Sequence, residues 1–104
     1  MGKLEQAEKD LRHMIVAMPG LAQPYGSLGA LELERGHPDK AAKWLEQAVL
    51  LEPTWKHAWL GLGAARESLG LRAEAAAAFE SCLDVGDVAE VDSRLCREGV
   101  ARNR

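Results

Sequence analysis

The stretch AQPYGSLGALELERGHPDKAAKWLEQAVLLEP, residues 22–53, decides the fold once it is laid over KHAWLGLGAARESLGLRAEAAAAFESCLDVGD, residues 56–87. A shift of 34 residues puts Tyr25 on Trp59, Leu28 on Leu62, Gly29 on Gly63, Gly36 on Gly70, Ala41 on Ala75, Leu45 on Phe79 and Ala48 on Cys82. The shift also runs backwards, from Ala41, Leu45, Ala48 and Pro53 to Ala7, Leu11, Met14 and Pro19. Self-similarity at a fixed period marks a chain built from stacked units, none of which can bury its apolar face alone. Residues 1–20 therefore read as the second helix of an incomplete unit, 22–54 as one repeat, 56–87 as another, and 88–104 as a closing helix, all within a single domain.

Each unit is helical. Leu and Ala number 15 and 17 among 104 residues, whereas Val, Ile and Thr together number eight, so helix formers outweigh the β-branched residues that favour strands. Gly and Pro divide the chain into expected helices at 3–17, 22–35, 38–51, 55–69, 72–84 and 88–101, with Gly36 and Gly70 placed to end helices in the left-handed conformation. The expected class is all-α, made of antiparallel helix pairs joined by tight turns. Within a pair, Gly29 and Gly63 remove side chains so that helices can approach, as do Ala41 and Ala75 on the facing helix. Tyr25, Trp59, Leu45 and Phe79 fill the remaining space.

A bulky residue, Leu-Gly, a turn Gly, Ala, a large apolar residue and Pro at a period of 34 resemble the tetratricopeptide repeat family. Asp87 in place of the closing Pro and Cys82 in place of a small Ala depart from that pattern and suggest that the array is ending. The resemblance implies a short right-handed superhelical stack, an α-solenoid, whose concave face binds a peptide or helix of another protein. Helical spacing beside the core stripe selects Gln23, Gly26, Ala30 and Leu33 for that groove, and the repeat adds His57, Leu60, Ala64 and Glu67. Relatives in the family that hold acidic chaperone C-termini use Lys, Asn and Arg there. Here Gly26, Ala30, Gly61 and Leu95 stand instead, so an apolar or helical segment suits the groove better than a carboxylate.

Other function classes are disfavoured. A net charge of −3 and pI of 5.6 supply no field for nucleic acid or anionic lipid, and the C-terminal arginines Arg94, Arg97, Arg102 and Arg104 alternate with acids. Pro19, Gly20, Pro24 and Gly26 interrupt the longest uncharged run, so no membrane span is expected. His13, His37 and His57 share no metal spacing, Ser27, Ser68, Ser81 and Ser93 sit in no nucleophile-elbow or phosphate-loop pattern, and no cofactor, metal or catalytic residue is expected. His37 and Asp39 read as helix-start residues, while Trp44 and Trp55 read as covers for packing seams. Cys82 and Cys96 read as two packed thiols, and the cytoplasm is the expected compartment.

Two expectations concern the ends. The helix at 3–17 lacks a preceding partner and carries Leu4, Leu11, Met14, Ile15 and Met18, which predicts a homodimer through this edge, or burial in a longer parent protein. The alternative to a peptide-binding adaptor is thus a self-assembly module. At the other end, Val88, Val91, Leu95 and Cys96 are expected to face inward as a cap.

Overall fold

The computed structural model of the chain describes residues 2–85 and 90–104. Six helices follow in order: α1 (Lys3–Ala17), α2 (Ala22–Glu34), α3 (Pro38–Leu51), α4 (Lys56–Ser68), α5 (Arg72–Asp84) and α6 (Glu90–Arg102), and no strand occurs among the described residues. α2 packs on α3, α4 on α5, and each helix from α1 to α6 touches the next. The all-α helical-repeat architecture expected from the 34-residue period is the one observed.

The turn between paired helices is built twice in the same way. Gly36 and Gly70 adopt φ of 80° and 77°, a left-handed conformation that costs a residue with a Cβ but not glycine. His37 N–H then reaches back to Glu32 O (2.8 Å) and Gly36 N–H to Leu33 O (3.1 Å), and Leu71 and Gly70 repeat both bonds to Arg66 O and Glu67 O at 3.0 Å each. The last carbonyls of α2 and α4 are satisfied by this Schellman arrangement. The aromatic residue of each unit also ties down the turn before it: Tyr25 Oη donates to Pro19 O (3.0 Å) and Trp59 Nε1 to Pro53 O (2.7 Å).

The core explains why glycine recurs at 34. A Cβ on Gly29 would overlap the Leu45 side chain, and one on Gly63 would lie 2.6 Å from Phe79 Cε1. Leu45 is 3% exposed and Phe79 1%, and Ala41 and Ala75 beside them are fully covered. Leu45 with Ala41, Ala48, Ala58, Leu62 and Ala65 forms one cluster, and Phe79 with Ala75, Cys82, Cys96 and Val100 the next.

Two expectations are corrected. Cys82 and Cys96 form a disulfide between α5 and α6, with Cα atoms 6.3 Å apart, instead of standing as two thiols. A separation of 14 residues carries no motif for such a bond; the fold supplies it by laying α6 antiparallel along α5. The inward stripe of α6 also differs. Val91 is 61% exposed and Leu95 38%, whereas Cys96, Gly99, Val100 and Asn103 are buried. The helix rotates to this phase because Phe79 occupies the space that a Cβ on Gly99 would need, 2.5 Å from its Cδ2. Val88 lies outside the described residues.

Candidate functional site

Helices α2 and α4 touch along one face of the stack, and the eight residues selected from the sequence fall on these two helices with different surroundings. Ala30 and Gln23 are exposed, and Leu33, Leu60 and Ala64 are half-buried. Leu33 packs against the first core cluster and Leu60 against the second. All five are thus reachable from solvent. Gly26 is buried. The Trp55 ring covers it so closely that any Cβ would overlap the indole.

The outer two residues of α4 are engaged by α6. His57 Nδ1 lies 3.4 Å from Asp92 Oδ2. Glu67 accepts from Arg102 Nε (2.8 Å), Arg102 Nη2 (3.1 Å) and Asn103 Nδ2 (2.8 Å). The Arg102 bonds, followed by the Asn103 bond, hold the Glu67 carboxyl below its ordinary value of 4.5, against the opposing effect of desolvation. Glu67 thereby ties α4 to the C-terminal end of α6. Sequence reasoning missed this use of Glu67 because its partners are 35 and 36 residues away.

Two hollows adjoin these helices. One, about 420 Å³, is lined by Leu21, Ala22, Gln23, Glu52, Thr54 and Trp55, and so joins Gln23 to the turn before α4. The other, about 700 Å³, lies among α1, α2 and α3 and contains none of the eight predicted residues. Its floor is a charged chain. Arg35 Nη1 meets Glu8 (2.7 Å) and Glu32 (3.3 Å), Arg12 Nη2 meets Glu8 (3.0 Å), and the Arg12 guanidinium stacks 5.3 Å above the Trp44 ring. The Arg35 hydrogen bond, followed by that of Arg12, lowers the Glu8 carboxyl. Trp44 also meets Tyr25, with ring centroids 6.1 Å apart, so it covers a seam as expected. His37 immediately precedes α3 but makes no side-chain cap bond, its ring lying instead 3.4 Å from the buried Glu32. Buried polar side-chain atoms without a partner are absent among the described residues, as are metal-ligating clusters. None of the described helices is long and apolar enough to cross a membrane.

No protein-family model matches the chain, and no curated protein does. Solved structures do. The second TPR domain of human RPAP3, in complex with the HSP70 peptide SGPTIEEVD, aligns at a TM-score of 0.84 and 25% identity over 98% of this chain and 82% of that one. The Arabidopsis OM64 TPR domain aligns at 0.77 and 27% identity, over 92% of this chain and 82% of that one. The Sgt2 TPR domain from Aspergillus fumigatus aligns at 0.82 and 20%, over 97% of this chain and 66% of that one. The period of 34, the Gly-under-Leu and Gly-under-Phe packing and these superpositions agree: the chain has the fold of tetratricopeptide-repeat domains.

Proposed function

We propose that the chain is a non-enzymatic protein-interaction module that takes an apolar peptide or amphipathic helix of another protein along Ala30, Leu33, Leu60 and Ala64, with Gln23 and His57 at the rim. The observation that supports this proposed strip is that Ala30, Leu33, Leu60 and Ala64, all small or branched apolar residues, are exposed or half-buried on two helices that touch. The RPAP3 domain is seen with a peptide, which supports peptide binding as the type of activity. Its acidic ligand does not transfer, because Gly26, Ala30 and Gly61 supply no cation along the strip, and Gly26 is covered by Trp55. An apolar ligand would gain about 25 cal/mol per Å² of apolar surface covered, before ordering costs.

Compartment bears on the same reading. The cytoplasmic expectation and the disulfide pull in opposite directions, since such bonds persist in oxidising surroundings. In a reducing cytosol Cys82 and Cys96 would stand as thiols beside Phe79.

The test is selection of binders from a displayed peptide library, followed by titration of the selected peptide against wild type and Ala30→Arg. Ala30 is exposed, so the helical circular-dichroism signal should persist while affinity falls at least tenfold. Unchanged affinity would remove the strip as the binding surface.

A further inference from the structure

The smaller hollow, between the start of α2 and the turn from α3 to α4, has a chemistry of its own. Leu21, Ala22 and Trp55 give it apolar walls, and its polar groups are the Gln23 amide, the Thr54 hydroxyl and the Glu52 carboxylate. No Lys, Arg or His lines it. The Trp55 indole is held in place, because its six-membered ring lies against Gly26, where a Cβ would come 2.6 Å from Cζ3.

Glu52 is the unbalanced charge in this hollow. It is exposed, and Thr54 Oγ1 donates to its Oε1 (3.1 Å), but no cation pairs with it among the described residues. The larger hollow differs on this point. Of the three carboxylates that line it, Glu8 meets Arg12 and Arg35, Glu32 meets Arg35, and Glu46 meets Arg66. Nor does the repeat demand the smaller hollow's residues. One period earlier Met18, Gly20 and Leu21 stand in place of Glu52, Thr54 and Trp55, while Pro19 and Pro53 coincide.

We infer that this hollow is a subsite for an arginine side chain of the protein segment that the chain binds. The aliphatic stem covers Leu21 and Ala22, and the charged head stays at the rim. There the planar guanidinium stacks on the Trp55 ring, whose face attracts a cation, and donates to the Glu52 carboxylate. Thr54 occupies Oε1 of that carboxylate and leaves Oε2 for the guanidinium, with the Gln23 amide oxygen as a second acceptor. The inference rests on the proposed function only for the partner's being a protein segment, to which it adds a basic residue over the start of α2.

Titrating the full chain at physiological salt with N-acetyl-arginine amide, and with N-acetyl-citrulline amide, which has the same shape without the charge, tests the hollow by itself. The Trp55 indole N–H and Gln23 side-chain amide resonances report binding. The arginine probe should shift both and bind about threefold or more tightly than the citrulline probe, as a cation–π contact and an exposed ion pair together require. Glu52→Gln changes an exposed side chain and should abolish that preference. Glu34→Gln removes the same charge from another exposed position and should keep it. Equal binding of the two probes, a preference that survives Glu52→Gln, or shifts at Arg12 and Trp44 in place of Trp55 would overturn the inference. The two readings fail separately. An arginine preference, together with a selected peptide that still binds Ala30→Arg, keeps the hollow and removes the strip, whereas the absence of that preference removes the hollow and leaves the strip standing.

Discussion

The centre of the molecule and its first helix carry the same residue types at the same register, yet they bury them differently. Leu45 lies between Gly29 and Gly61, and Phe79 between Gly63 and Gly99; both are all but sealed. Leu11, their counterpart in α1, has a neighbouring helix on one side only and stays half-buried. The difference teaches that a repeat position has no fixed energetic weight: what counts is whether a helix lies on each side of it.

The largest expected effect sharpens that contrast. Phe79→Ala should lower unfolding free energy by about 3–5 kcal/mol, because the space between α4, α5 and α6 cannot collapse. Leu11→Ala should cost only about 1 kcal/mol, half the burial of a core leucine or less. Urea denaturation of both variants at one dilute concentration makes the comparison, and equal losses would break it.

The disulfide ranks next. Closing a loop of this length stabilises a chain by about 3 kcal/mol through the unfolded state, so replacing Cys82 and Cys96 together by Ser should lower the denaturation midpoint accordingly. The loss should be local first. Amide exchange in α6 should accelerate before that in α2 and α3, which hold their own cluster around Leu45.

A smaller effect follows from Glu67. Its carboxyl is held below 4.5 in the folded chain by Arg102 and Asn103, so the unfolded state binds the proton at higher pH than the folded one. The stabilisation is therefore complete above pH 4.5 and lost as the pH falls through the folded value. The pair is partly exposed, at 54% for Arg102 and 30% for Glu67, and solvent screening keeps its worth under about 1 kcal/mol. Glu67→Gln should flatten that part of the acid-stability curve, which thermal unfolding between pH 3 and 6 will record.

Particular residues show how far the sequence could be read. Gly36, Gly70 and the Pro residues placed the helix limits to within two residues, because turn chemistry is local. The period of 34 identified Leu45 and Phe79 as the fillers of the core, because burial there follows from the repeat. The phase of α6 was not legible. Gly99 faces Phe79 as Gly61 faces Leu45, 38 residues on instead of 34, so the period misleads by four, and Gly99 becomes the inward residue only once Phe79 is in place. The Cys82–Cys96 bond and the Glu67–Arg102 pair depend on that same placement. Of the candidate site, spacing placed the eight residues on α2 and α4, whereas the covering of Gly26 by Trp55 required knowing where the turn after Pro53 sends its indole.

The central claim, that a partner peptide lies along α2 and α4, is most directly tested by mapping amide chemical-shift changes in the chain on addition of a selected peptide. The account predicts that the largest changes cluster at Ala30, Leu33, Leu60 and Ala64, with little movement at Trp44 or Lys43. Changes centred on Arg12, Arg35 and Trp44, with the strip silent, would contradict it and assign binding to the charged hollow among α1, α2 and α3.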